Sequence, residues 1–136
     1  LTMLLIVTLA PIADGASRKG VIVTTMLTFN LGVQAFEDRD YRAAVERFTE
    51  VLATEPGNTG VREYLARAYY HRASLAPAER ECRAILESDP TNEYVTLLLI
   101  RSLERQSRHD EARPLRRLLA TLTGDDRHLR DHQPLG

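Results

Sequence analysis

The sequence predicts an all-α protein, a stack of helical hairpins. Two observations carry that prediction. The first is an internal period of 34 residues. Leu31, Leu65 and Leu99 share it, as do Ala44, Ala78 and Ala112, then Val51, Ile85 and Leu119, and the pair Pro56 and Pro90. Self-similarity at that interval marks helical pairs that bury their apolar sides by stacking on their neighbours. The second is the spacing within each period, where apolar residues recur three and four apart, as they do along one face of a helix.

Composition narrows the class. With 136 residues the chain is one domain by default and is long enough to bury a core. A formal net charge of -1 provides no overall field to draw it to nucleic acid or anionic lipid. The only cysteine, Cys82, rules out an intramolecular disulfide and a multi-cysteine metal site. It fits a reducing compartment, so a cytoplasmic location is expected.

Residues 1–24 are expected to be a leader ahead of the folded repeats. Residues 1–13 carry no charge, and three readings of them compete. One is a poorly ordered leader, or residues translated from upstream of the true start. The second is a signal or membrane anchor, although Asp14 ends the apolar run short of the length a spanning helix needs. The third is a hairpin pairing the β-branched runs Ile6-Val7-Thr8 and Val21-Ile22-Val23.

The repeats are expected over 25–58, 59–92 and 93–124, with a polar, frayed tail over 125–136. A helix is expected from about Thr25, with Leu27, Leu31 and Ala35 on its packing face. Asp40 is placed to cap the next helix, about Tyr41 to Thr54, by accepting from a free backbone N–H. Ala44, Phe48, Val51 and Leu52 form its buried stripe. Glu55-Pro56-Gly57-Asn58 ends it, since proline drives the preceding residue out of the helical region.

In the second copy Tyr64, Leu65, Ala68 and Tyr69 form the packing stripe, and Ala78, Cys82, Ile85 and Leu86 continue it after a cap at Ser74. Asp89-Pro90-Thr91-Asn92 repeats the earlier stop. In the third, Val95, Leu98, Leu99 and Leu103 are apolar at helical spacing, and Asp110 is placed to cap the last helix. Pro114 falls inside that helix, which either kinks or starts at Arg113. Leu115, Leu118, Leu119 and Leu122 carry its stripe, and Gly124 is a natural stop.

The pattern resembles the tetratricopeptide repeat family, whose signature is roughly W-x2-L-G-x2-Y, then A-x3-F, then P. The first copy supplies Leu31-Gly32, Ala35, Tyr41, Ala44, Phe48 and Pro56. The second supplies Leu65-Ala66, Tyr69, Ala78, Cys82 and Pro90. The third supplies Leu99-Ile100, Leu103 and Ala112, with Arg116 in place of an aromatic residue and Gly124 in place of proline. Thr28, Arg62 and Thr96 stand at the tryptophan position. The resemblance covers about residues 25–126 and implies a right-handed α-solenoid of three helix-turn-helix hairpins. Gly32 and Ala66 would then lie where the two helices of a hairpin approach.

In that family the first helix of each hairpin lines a concave groove. The resemblance therefore implies a peptide-binding groove of Phe29, Val33 and Phe36 from the first copy, beside Met26 and Glu37. The second copy would add Glu63, Arg67, Tyr70 and His71. Tyr94, Leu97, Arg101 and Arg105 would come from the third, beside Glu104. One end is apolar and aromatic; the other carries Arg67, Arg101 and Arg105, which suits a peptide with an apolar anchor and an acidic flank. The competing reading pairs these arginines locally with Glu63 and Glu104 on a solvated face. A subset of the family binds C-terminal carboxylates of chaperones through Lys and Asn groups. The matching positions here, Phe29, Val33, Tyr64, Tyr94 and Leu98, cannot hold a carboxylate by charge, so that mode is not expected.

Elsewhere the sequence offers little chemistry. His128 and His132 have a spacing that can share a metal on a helix, but a third ligand would have to be Asp125 or Asp131, so solvated histidines and no metal are expected. Cys82 lies on an apolar stripe and reads as a small buried hydrophobe. No phosphate loop or nucleophile elbow appears, so neither an enzyme nor a cofactor is expected. The expected function is a non-catalytic scaffold binding a protein or peptide. The alternative is a self-associating module, a homo-oligomer paired through the ends of the solenoid, whose outer helices need polar caps. No nucleic-acid partner is expected, and a membrane only if residues 1–13 act as an anchor.

Overall fold

The computed structural model describes residues 15–130. Among them the chain forms six α-helices and a short 3-10 helix, with no strands: α1 (Gly15–Glu37), α2 (Tyr41–Thr54), α3 (Thr59–His71), α4 (Leu75–Ser88), α5 (Glu93–Arg105), α6 (His109–Thr123) and the 3-10 helix Asp126–Leu129. They pair in order as three hairpins, and each hairpin packs on the next. The architecture is the all-α solenoid the period predicts.

The period is clearest in the turns. Within each hairpin one residue, Arg39, Ala73 or Ser107, takes a left-handed conformation with φ of 61 to 63°. The residue after it donates its N–H back to the same place each time: Asp40 to Ala35 O, Ser74 to Tyr69 O and Arg108 to Leu103 O, at 2.8–2.9 Å. This six-to-one bond closes a helix and releases the chain in reverse. Between hairpins Asn58 and Asn92 repeat one another. Each accepts from the backbone N–H three residues on, Val61 or Val95, and donates to the preceding Glu55 or Asp89.

The core consists of two buried clusters. Ala44, Val45, Phe48, Val51 and Leu52 of α2 pack with Val61, Leu65 and Ala68 of α3. Ala66, Cys82, Ile85, Val95, Leu99, Leu103 and Leu119 form the other. Gly32 sets the approach of α1 to α2, since a Cβ there would lie 2.7 Å from Phe48 Cε1. Ala44, Ala66, Ala78 and Ala112 are fully buried at the corresponding close contacts.

Several expectations are corrected. Helix α1 starts at Gly15, ten residues before the expected Thr25, because a helix anchored on α2 extends at one bond per residue. Val21-Ile22-Val23 is therefore helical rather than a strand, while Ile6-Val7-Thr8 lies outside the described residues. Leu27 and Leu31 are exposed, not buried. Periodicity puts them on one face, but no described helix packs against that face.

Ser74 precedes α4 without a side-chain capping bond. Asp110 lies inside the first turn of α6, whose N-cap is Arg108. Pro114 sits within α6, which starts at His109 and not at Arg113. Its C-terminus follows expectation, with Gly124 at φ 70° donating to Ala120 O.

The departure at Arg116 is resolved by a buried ion pair. Its guanidinium donates from Nε and Nη2 to both oxygens of Glu104, at 2.5 and 2.7 Å, and from Nη1 to His128 O. A bidentate, desolvated pair takes the space an aromatic ring fills in the signature. It also ties the 3-10 helix over the end of the stack, so residues 126–129 are folded rather than frayed.

Candidate functional site

Side chains from α1, α3 and α5 meet along one side of the stack. The centre is Tyr64, on the second turn of α3. Its ring stacks on Phe48 at 5.2 Å and meets Phe29 and Phe36 edge-on at 5.8 and 5.7 Å. Residues 29, 33 and 36 fall three and four apart on α1, and 64, 67 and 71 do the same on α3, so one face of each helix reaches this line.

Arg67, one turn beyond Tyr64, lies among three rings. Its guanidinium carbon is 4.8 Å from the Phe36 centroid, 5.2 Å from Tyr64 and 5.9 Å from Tyr94. Cation–π attraction holds the charge there. Its Nε is buried and has no hydrogen-bond acceptor among the described residues. A buried donor without a partner carries a desolvation cost that an acceptor would remove.

Farther along, Arg105 stacks over Tyr70 at 4.8 Å and donates to Tyr70 O. Arg101 is exposed on the same helix. His71 stacks on Tyr41 at 5.0 Å and meets Phe36 edge-on. Desolvation by these rings, then the charges of Arg67, Arg105 and Arg39, lower its pKa below the ordinary 6.5.

At the other end a cleft of about 470 Å³ opens between α1 and the start of α3. Met26 and Phe29 line it from α1, Val61 and Tyr64 from α3, with Asn30 and Asn58 at its polar edge. The face thus runs from an apolar cleft, across an aromatic cluster, to three arginines.

Most residues expected in the groove lie on this face. Phe29, Phe36, Arg67, Tyr70, His71, Tyr94 and Arg105 are joined by ring and guanidinium contacts. Val33 and Leu97 are half-buried and pack against the two cores. Glu63 is half-buried beside them.

The local pairing of the arginines with Glu63 and Glu104 does not occur: the Glu104 carboxylate is buried on Arg116. Among the described residues no ion pair joins Arg67, Arg101 or Arg105 to a carboxylate.

Three members were missed in the sequence. Tyr64 is assigned there to core packing, and Tyr41 to the repeat signature alone. Asn30 was within reach, four residues after Met26 on the same helical face.

Other polar groups stabilise the scaffold. Glu79 of α4 receives Arg108 at 2.5 Å and Arg83 at 3.0 Å. Burial opposes its ionisation, but these bonds outweigh burial and hold its carboxyl below the usual range. Burial, then the neighbouring Glu81 and Glu63 charges, push the Cys82 thiol up to about 12. Among the described residues no His, Cys, Asp and Glu cluster could hold a metal, and His132 lies outside them. No described helix is long and apolar enough to cross a membrane.

Comparison with known proteins agrees with this architecture. The tetratricopeptide repeat pattern matches residues 35–99. Among solved structures, a MamA variant superposes with a TM-score of 0.71 at 23% identity, covering 80% of this chain and 60% of that one. The chain thus spans somewhat under two thirds of MamA. The Arabidopsis OM64 TPR domain gives 0.68 at 20% identity, covering 81% of this chain and 97% of that one. The first TPR of Spaghetti (RPAP3), bound to the HSP90 peptide SRMEEVD, gives 0.67 at 17%, covering 77% and 89%. No curated protein matches the sequence.

Proposed function

Given that residues 35–99 belong to the tetratricopeptide repeat family, we infer that this chain is a non-catalytic scaffold that binds a segment of another protein along the face of α1, α3 and α5. The observation that carries the reading is Arg67. Three rings hold its charge in place while its Nε has no acceptor among the described residues. A carboxylate from a bound chain would pair with the guanidinium, with Arg101 and Arg105 in reach of neighbouring acids.

The cleft lined by Met26, Phe29 and Tyr64 suits an apolar anchor on the same segment. A fold neighbour is bound to an acidic peptide, which supports the general mode. Phe29, Val33, Tyr64, Tyr94 and Leu98 replace the Lys and Asn groups of the chaperone-binding subset, so the acid here is read by a different set of side chains. The single cysteine, buried and in no disulfide among the described residues, suits the cytoplasm, where we place the scaffold.

The test is a peptide-library selection on the full chain, followed by fluorescence anisotropy on the enriched peptide. Enrichment of Asp and Glu next to an aliphatic or aromatic residue is expected. Arg67→Glu/Arg101→Glu/Arg105→Glu should weaken binding by roughly a hundredfold or more, since hydrogen bonds to charged groups contribute about 1.5–3 kcal/mol each. Equal affinity for both proteins, with equal helix content by circular dichroism, would rule this face out as the binding surface.

A further inference from the structure

We propose that the outer face of α1 is where two copies of the chain associate, their α1 helices lying antiparallel across a two-fold axis near Leu27. The internal repeat supplies the main reason. Leu27 corresponds to Val61 and Val95, and Leu31 to Leu65 and Leu99, each 34 residues apart. In the second and third copies these positions are at most 4% exposed, covered by the preceding hairpin. In the first, Leu27 is 58% and Leu31 52% exposed. Val23, one turn earlier, continues the stripe at 56%. The same face of the same kind of helix is therefore built to receive another helix and lacks one among the described residues. No charged residue interrupts α1 from Gly20 to Phe36.

Two surfaces of another copy could cover this stripe, and the structure favours a second α1. The far end of another copy does not match. Val45 and Leu52, which α2 contributes to the cluster containing Val61 and Leu65, correspond to Arg113 and Ala120 on α6. The 3-10 helix is bonded to Arg116 over that end.

A second α1 spans the whole stripe. Antiparallel pairing about Leu27 sets Leu31 against the other copy's Val23. It also brings Lys19 of one copy within a turn of Glu37 of the other at both ends. Such an interface is isologous and closes at two chains.

The test follows the mass of the full chain by light scattering over a concentration series. A monomer–dimer equilibrium is expected. Leu31→Glu should raise the dimer dissociation constant roughly tenfold or more while leaving the melting curve of the monomer unchanged. Lys19→Glu should weaken the dimer, and Lys19→Glu/Glu37→Lys should restore it, because reversal at both ends preserves the pairing. Leu27→Cys should oxidise to a covalent dimer, Cys82 being too buried to compete.

A single-chain mass at every concentration would overturn the proposal. So would a dimer indifferent to Leu31→Glu and not cross-linked through Leu27→Cys. A monomer destabilised by Leu31→Glu would overturn it too, assigning the stripe to residues 1–13 instead.

Discussion

Gly32 gives the sharpest test of how the hairpins are held. A Cβ at this position would lie 2.7 Å from Phe48 Cε1, 2.9 Å from Cδ1 and 3.1 Å from Arg47 Cβ. The Phe48 ring cannot step aside. It is fully buried, stacked on Tyr64 at 5.2 Å and set against Phe29 at 6.0 Å. Forcing in one methyl therefore costs about 1–3 kcal/mol of overpacking. Alanine's better helix propensity returns about 0.5–1 kcal/mol. The net loss for Gly32→Ala is about 0–2.5 kcal/mol, or a melting temperature lower by up to roughly 10 °C. Gly32→Leu should fall further.

Gly20 lies on the same helix, and a Cβ added there would meet nothing within 4 Å. Gly20→Ala should gain about 0.5–1 kcal/mol from propensity alone. Thermal melts followed by circular dichroism separate the two. If Gly32→Ala melts as high as Gly20→Ala, the α1–α2 contact is not as described.

Other expectations follow from charge and burial. Glu104→Gln removes the charge of the buried carboxylate that Arg116 grips with two bonds and should cost about 3–5 kcal/mol in urea unfolding. Replacing both, as Glu104→Leu with Arg116→Phe, should recover most of that. His71 has a folded pKa below 6.5, so the unfolded chain takes up the proton first as pH falls. Its contribution to stability is full above about pH 6.5 and is lost as pH drops from there toward the folded value. His71→Gln should flatten that part of the stability curve. With its thiol raised to about 12, Cys82 should resist alkylation at pH 8 in the folded chain and react at the rate of unfolding; rapid native-state labelling would contradict its burial.

What the sequence revealed was what repeats. Arg39, Ala73 and Ser107 share a backbone conformation because the signature around them recurs, and Asn58 and Asn92 cap alike for the same reason. The parts that escaped are those without a period. Arg116 breaks the pattern, and its partner Glu104 lies on another helix. Leu27 and Leu31 obey the pattern, yet hydrophobic spacing names a shared face without saying whether a neighbour covers it.

Of the candidate site, the residues at helical spacing were visible, but their contacts were not. Arg67 is positioned by rings from three helices, and only the packing of successive hairpins brings Phe36 and Tyr94 to it. Tyr64 looked like core because it shares a stripe with Leu65 and Ala68. It is half-buried and joins the core to the exposed face.

If the face of α1, α3 and α5 receives another protein's chain, acid at Arg67 and apolar anchor near Phe29, binding must be felt there first. Amide and side-chain NMR shifts during titration with the selected peptide show this most directly. Changes should concentrate at Phe29, Tyr64, Arg67, Tyr94 and Arg101, with α4 and α6 quiet. Changes centred on those two helices, with Arg67 unmoved at saturation, would contradict the proposed mode of binding.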